Sequence, residues 1–243
     1  MAFNCCAIVP TYDNPETVAA VVEQVLQFVS HVIVVDDGSG EEARAVAREL
    51  AKDERVEILF RSKNGGKGAA VMTGLMAAEA GGFTHALQID ADGQHDPADI
   101  PKFLAAAVAN EPALILGQPL FDDSAPKSRL WGRRISVFWC MVETWSTKVG
   151  DPLCGYRVYP VSATIAAAAS GRTMDFDPEI AVRLAWAGVP IVHLATRVRY
   201  IEGGVSHYRV VQDNLLISWM HTRMCTLGLL RLVTLPFRRR LPK

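Results

Sequence analysis

The sequence predicts an α/β fold with a parallel sheet covered by helices on both faces. Three observations lead there. Short apolar runs alternate with segments of helical period through the first half of the chain. The runs are nearly all-apolar, as strands buried on both faces require. Acidic and glycine-containing clusters stand where the runs end: Pro10-Thr11-Tyr12-Asp13, Asp36-Asp37-Gly38-Ser39 and Asp90-Ala91-Asp92. In sheets of this kind ligands bind beyond the carboxyl ends of the strands.

Residues 5–10 read as the first strand. Asn14-Pro15 is a cap followed by proline at the first helical position, and Val18, Val21, Val22, Val25 and Phe28 continue at helical spacing. Strands are expected at 31–35, 56–60, 85–89 and 113–116, and helices at 41–52 and 67–80. Asp96-Pro97 repeats the cap-and-proline start before a helix reaching about residue 109. The second half is less regular. Residues 128–148 are aromatic and basic, 154–159 read as a strand and 162–169 as a short helix. Asp177-Pro178-Glu179 is a third cap-and-proline start, 191–201 looks extended, and 213–233 reads as a final helix.

A chain of 243 residues, half of them hydrophobic, buries a full core without disulfide or metal staples. The net charge of −1 argues against nucleic acid as a partner. From Arg209 onward, however, seven Lys/Arg face one acid, Asp213. That asymmetry suggests an anionic surface near the C-terminus. The five cysteines form no C-x-x-C pair and read as reduced, buried thiols, with a cytoplasmic location. The chain carries no recognisable leader segment, and no run reaches the ~18 apolar residues of a membrane span. The best candidate, 224–237, is interrupted by Arg231.

Asp90 and Asp92 end an apolar strand. Two carboxylates near one point repel by about 4 kcal/mol at ~4 Å and an effective dielectric of ~20, so such a pair in a cleft invites a cation. Oxygen donors suit Mg²⁺ or Mn²⁺. An EF-hand beginning at Asp90 would need Gly and Glu where His95 and Pro101 stand. Asp96 reads as a helix cap. The loop Asn64-Gly-Gly-Lys-Gly68 precedes a helix and places Lys67 where an anion could sit, but Gly68 stands where a phosphate-binding loop needs Ser or Thr. From the local pattern alone, this loop is equally a tight turn or a nucleotide contact, and Asp36-Asp37-Gly-Ser39 equally a turn or a carboxylate facing a base or ribose. His207, in a glycine-containing loop, is either a structural histidine or a metal or phosphate contact.

In order and spacing, Ile8-Val-Pro-Thr-Tyr12, Val34-Val-Asp-Asp-Gly-Ser39, Gly66-Lys-Gly-Ala69, Asp90-Ala-Asp-Gly-Gln-His95 and Asp151-Pro-Leu-Cys-Gly-Tyr-Arg157 resemble family 2 glycosyltransferases of the GT-A fold. The branch most similar is that of the polyprenyl-phosphate (dolichyl-phosphate) mannose synthases, and the match covers roughly residues 5–160. The resemblance implies a Rossmann-like, mostly parallel sheet with helices on both faces, followed by a C-terminal amphipathic helix. As domains it gives a catalytic unit over 1–205 and a basic helical extension over 206–243.

It further implies that Pro10, Thr11, Asp36 and Asp37 cradle the nucleotide of a nucleoside-diphosphate sugar, with Lys67 and Asp90 beside it. Asp13 stands where the family often has Asn, so its nucleotide contact is a departure. Asp90, Asp92 and Gln94 would hold the metal, with His207 as a further ligand or as a substitute for a phosphate-binding Lys. Asp151 would face the acceptor with Arg157 close behind, and Glu179 or Asp177 is the other candidate base. The expected reaction is a single inverting displacement on a lipid-linked or membrane-associated acceptor such as a polyprenyl phosphate. Arg129, Arg133 and Arg134 would hold that acceptor's phosphate. Residues 128–148, and 213–237 with the Arg238-Arg-Arg240 cluster, suit the cytoplasmic face of a membrane as a peripheral surface. A core helix with a solvated basic end, or a homodimer interface, is the other reading of both stretches. A soluble hydroxyl acceptor, or nucleotide-sugar binding without catalysis, is the alternative function.

Overall fold

The computed structural model describes residues 2–121, 127–198 and 209–238. Its elements follow one another as β1 (Cys5–Thr11), α1 (Val18–Val25), β2 (Val32–Asp36), α2 (Glu41–Leu50), β3 (Val56–Phe60), α3 (Lys67–Ala80), β4 (His85–Gln88), α4 (Ile100–Ala109), β5 (Leu114–Phe121), α5 (Lys127–Thr144), β6 (Arg157–Pro160), α6 (Val161–Ala166), α7 (Phe176–Trp186), β7 (Ile191–Val198) and α8 (Val210–Arg238).

One sheet of seven strands runs in the order β3-β2-β1-β4-β6-β5-β7. The sheet is parallel except for β6, which is antiparallel to both β4 and β5. The all-apolar strands follow from burial on two faces. Along β1, Cys6 and Ile8 face a core shared with α3, α7 and α8, while Ala7 and Val9 face a second core with α1 and α4. β2 alternates likewise, with Ile33 and Val35 on one side and Val32 and Val34 on the other. This is the period of two that sends successive side chains to opposite faces.

Three expectations need correction. The helix after Asn14-Pro15 begins only at Val18, because residues 15–17 form a turn. The helix near residue 177 starts at Phe176 with Asp175 before it, so Asp177 and Pro178 lie inside the first turn. The Asp175 carboxylate instead accepts from the backbone N–H (2.9 Å) and hydroxyl (2.8 Å) of Thr173. The third concerns α8, which is not an appendage: Ile217, Met220 and Met224 belong to the same core as β1 and α3. By contrast Asp96 caps as expected, its carboxylate accepting the Ala98 N–H at 3.0 Å ahead of a short 3₁₀ turn that leads into α4.

α8 also differs from an ordinary amphipathic helix. Its buried stripe includes the polar Asp213 and His221, while Leu215, Trp219, Leu229 and Leu230 are exposed. Among the described residues, no helix is long and apolar enough to cross a membrane.

Candidate active site

The antiparallel course of β6 builds the site. Gln88 at the end of β4 pairs with Arg157 at the start of β6, so residues just after β4 meet residues just before β6. Asp90 therefore lies against Gly155. A Cβ at Gly155 would collide with the Asp90 carboxylate and the Lys67 ammonium, so a larger residue there would push both side-chain ends out of place. Lys67 arrives from the N-terminus of α3, where Gly68 packs so closely on Phe176 that any Cβ would overlap its ring. That approach joins the start of α3 to the start of α7.

The result is a chain of charges, half-buried at Lys67 and Asp90 and buried at Asp177 and Arg157. Lys67 Nζ lies 2.8 Å from Asp90 Oδ2 and 3.1 Å from Asp177 Oδ2, and Arg157 Nη2 lies 3.5 Å from Asp177 Oδ1. Burial alone would lower the Lys67 pKa, but Asp177 and Asp90 together outweigh it and raise it. Burial alone would raise Asp90, but Lys67 and then His95 hold its carboxyl far below the usual carboxylate range. Gln88 Nε2 donates to Asp90 Oδ1 at 3.3 Å, and Tyr159 Oη donates to Gln88 Oε1 at 3.0 Å, which fixes the amide's orientation.

Asp92 is in a different state. The Gln94 N–H donates to its Oδ1 at 3.0 Å, and no cationic side chain is paired with it among the described residues. Burial, and then the negative charge of Asp90, raise its pKa. A carboxylate so placed lacks a positive partner, which a divalent ion would provide. His95 adds a ring 3.8 Å from Asp90 Oδ2 whose buried Nδ1 has no hydrogen-bond partner. The oxygen-rich donor set of Asp92, Asp90 and Gln94 fits Mg²⁺ or Mn²⁺.

The expected nucleotide residues gather at the ends of β1 and β2, where Thr11 pairs in register with Asp36. Thr11 Oγ1 is buried without a partner. Asp13, in the left-handed region at φ 48°, accepts from the Gly40 N–H at 2.7 Å, and its own N–H donates to Ser39 Oγ at 2.9 Å. Asp36 accepts from the Ser39 N–H (3.3 Å) and from Arg44 Nε (3.2 Å). Asp37 accepts from the N–H groups of Gly65 (3.1 Å) and Gly66 (2.7 Å) and lies 3.1 Å from Arg61 Nε. The two carboxylates are thus engaged within the chain: Asp36 holds the turn after β2 to Arg44, and Asp37 ties that turn to the glycine loop that precedes Lys67.

The acceptor-side residues are also rearranged. Arg133 Nη1 donates to both oxygens of Asp151, at 2.9 and 3.0 Å, so an expected phosphate ligand and an expected base hold each other. Arg134 is exposed on the same helix. Arg129 falls on α5, but its side chain, like all of His207, lies outside the described residues.

Two assignments are overturned on geometry. Arg157 is fully buried and donates to the carbonyls of Cys154 (2.8 Å), Pro152 (2.8 Å) and Asp177 (3.1 Å). It braces the loop from Asp151 to Gly155 and has no surface for an acceptor. Glu179 is equally buried; it accepts from the N–H groups of Ser170 (3.1 Å) and Gly171 (2.8 Å) and pairs with Arg183 (2.6 Å) and Arg223. It anchors α7 to the preceding loop and to α8, and cannot reach a substrate. Asp177, nearly as buried, is committed to Lys67 and Arg157.

The glycosyl transferase family 2 model matches residues 6–173. The chain belongs to that family. This family 2 glycosyltransferase is 31% identical over 161 residues to a polyprenol monophosphomannose synthase of Mycolicibacterium smegmatis, an alignment covering 63% of this chain and 60% of the relative. It is 34% identical over 103 residues to a dolichol-phosphate mannosyltransferase of Pyrococcus furiosus, covering 41% of this chain and 28% of the relative. The chain thus spans less than two thirds of the length of both. Among solved structures, glucosyl-3-phosphoglycerate synthase from Mycobacterium tuberculosis, in complex with Mn²⁺, UDP and glucosyl-3-phosphoglycerate, superposes with a TM-score of 0.72 at 13% identity, covering 93% of this chain and 81% of the other. That likeness establishes the GT-A fold.

Sequence reasoning missed Gly155 and Gln88 as builders of the site, and His95 as its neighbour. Gly155 and His95 stand inside motifs that were recognised. Only the antiparallel pairing of β6 shows what they touch.

Proposed function

We propose that this glycosyltransferase moves a sugar from a nucleoside-diphosphate sugar to a lipid phosphate at a membrane surface, with a divalent metal and inversion at the anomeric carbon. The observation that carries the reading is the asymmetry between the two aspartates: Asp90 is paired with Lys67, while Asp92 beside it has no paired cation among the described residues. Asp92, with Asp90 and Gln94, would hold Mg²⁺ or Mn²⁺. When bound, the ion neutralises charge on the departing diphosphate. Thr11, whose buried hydroxyl has no partner among the described residues, would meet the nucleotide, together with Pro10 and Asp13. Asp36 and Asp37 serve the nucleotide through the loops they tie down.

A phosphate acceptor is already anionic and needs no base. This agrees with a site whose candidate bases all have partners. Arg133 would pass from Asp151 to the acceptor phosphate, since a guanidinium binds either anion with the same fork. The names of the relatives, polyprenol and dolichol phosphate enzymes, support the same acceptor class. So does the surface formed by α5 and α8. Trp131 (66% exposed) and Trp145 (70%), on α5 and just past its end, and Leu215 (66%) and Trp219 (66%) on α8 stand out to solvent, and so do Arg134 on α5 and Arg209 just before α8. Indole rings with arginines suit the headgroup layer of an anionic bilayer.

The test is a donor screen for nucleoside diphosphate release in Mn²⁺ or Mg²⁺, with polyprenyl-phosphate vesicles as acceptor. Release is expected to need metal and lipid, and to fall at least ~100-fold in Asp92→Ala, the loss expected when transition-state charge goes unanswered. Full activity in Asp92→Ala would overturn the reading.

A further inference from the structure

Away from the Asp90 site, α5 and α8 bury a cluster of different chemistry. Cys140 and Glu143 stand three residues apart on α5, and His221 and Cys225 four apart on α8, so each pair shares one helix face. The two faces meet. Ligand atoms of Cys140, Glu143 and His221 all lie within 4.8 Å of one another, and all three residues are buried. Cys225 Sγ lies 3.9 Å from Glu143 Oε1, and His221 Nδ1 lies 2.8 Å from the same oxygen. The second oxygen of Glu143 and the Nε2 of His221 are buried with no hydrogen-bond partner among the described residues. A carboxylate, an imidazole and two thiols concentrated at one point of an apolar helix interface cost desolvation that ordinary packing there would avoid.

We propose that Cys140, Glu143, His221 and Cys225 form a structural Zn²⁺ site that clips α8 to α5. Two sulfurs, one imidazole nitrogen and one carboxylate oxygen are a four-ligand set for tetrahedral zinc, with bonds of roughly 2.0–2.3 Å. Those bonds put ligand atoms roughly 3.3–3.8 Å apart. For Cys140, Glu143 and His221, closing from 4.8 Å needs side-chain adjustments of about 1 Å or less and opens the His221–Glu143 contact, while Cys225, its Sγ 3.9 Å from Glu143 Oε1, turns in from outside that group of three. Binding replaces the two thiol protons with the metal, so two protons leave for each Zn²⁺ taken up. Cys225 is half-buried and gives the ion an entry path. The clip holds α8 to the helix that carries Arg133, the residue paired with Asp151. It does not depend on the sugar-transfer reading, because no residue is shared with the Asp90–Asp92 site.

The experiment is a Co²⁺ titration of the full chain, followed by its absorption spectrum, with zinc content measured by elemental analysis. Asp92→Ala serves as the background, so the carboxylate site cannot contribute. One equivalent of Co²⁺ should give the intense thiolate-to-cobalt band of a tetrahedral sulfur site, and Zn²⁺ should displace it and raise the melting temperature. Cys140→Ser and Cys225→Ser, near-isosteric changes checked for folding by circular dichroism, should each lose the band and the zinc-induced rise. No thiolate band in the background protein would overturn the proposal, as would a band unchanged in either folded serine variant.

Discussion

The Asp90 end of the sheet and the α5/α8 face differ in how their costly groups are treated. At the Asp90 end, charges are buried and nearly every one is answered within the chain: Lys67 by Asp90 and Asp177, Arg157 by three carbonyls, Asp37 by two backbone N–H groups. On α5 and α8, large apolar side chains stand exposed, with Trp131 and Phe138 on one helix, Trp145 just past its end, and Leu215 and Trp219 on the other. The first region is pre-organised, so a donor meets groups that need no rearrangement. The second carries exposed apolar area of the kind that marks an interaction surface. Under the proposed function, donor chemistry would belong to strands β1 to β6, which the family match covers, whereas the acceptor surface would lie partly beyond residue 173, on α8.

The largest break in this contrast should come from Glu179→Gln. It leaves Arg183 and Arg223 facing a neutral group in a buried site, so unfolding by denaturant should show a loss of about 3 kcal/mol. The acid limb should change with it. Burial alone would raise the Glu179 carboxyl, but the Ser170 N–H, Arg183 and the Gly171 N–H together hold it below its ordinary 4.5. A depressed carboxyl contributes stability that is full above that ordinary value and is lost as pH falls through the lower one. The wild type should therefore lose stability faster below about pH 4.5 than Glu179→Gln does, as stability measured against pH would show.

Gly155→Ala comes next. Its Cβ would be driven into Asp90 and Lys67, which should cost about 1–3 kcal/mol in thermal unfolding. Turnover should fall further than stability alone explains, because Asp90 moves. Arg133→Ala should sharpen the contrast from the acceptor side by raising KM for the lipid phosphate while sparing KM for the donor, as steady-state kinetics on vesicles would report. The smallest effect on stability belongs to the double change Trp131→Ser and Trp219→Ser. Two exposed side chains are removed, so the melting temperature should hold, while flotation with anionic vesicles should drop several-fold.

Much of this was legible in the sequence because β1 to α4 obey local rules. The third strand and third helix fall on their predicted bounds, 56–60 and 67–80, since apolar runs and a glycine start define them locally. Asp90 and Asp92 were legible because paired carboxylates at a strand's end carry their own electrostatic argument. What stayed hidden depends on contacts distant in sequence. Asp177-Pro178 imitates a cap, yet Asp177 is drawn inward by Lys67, 110 residues earlier in the chain. Arg157 reads as an acceptor contact beside Asp151, and only the path of its loop shows three carbonyls waiting for it. The cysteines read singly as buried thiols. Cys140 and Cys225 converge on Glu143 only when two helices, one before and one after β6 in the chain, pack together.

The central claim is a sugar delivered to a lipid phosphate by the Asp92 site, and the most direct measurement follows the label. Nucleoside-diphosphate sugar labelled in the sugar is incubated with the protein, Mn²⁺ and polyprenyl-phosphate vesicles, then partitioned between organic solvent and water. Label should enter the organic phase with wild type, and not with Asp92→Ala or excess chelator. Label confined to water in every arm, despite release of nucleoside diphosphate, would contradict the lipid acceptor. Label in the organic phase with Asp92→Ala would contradict the site.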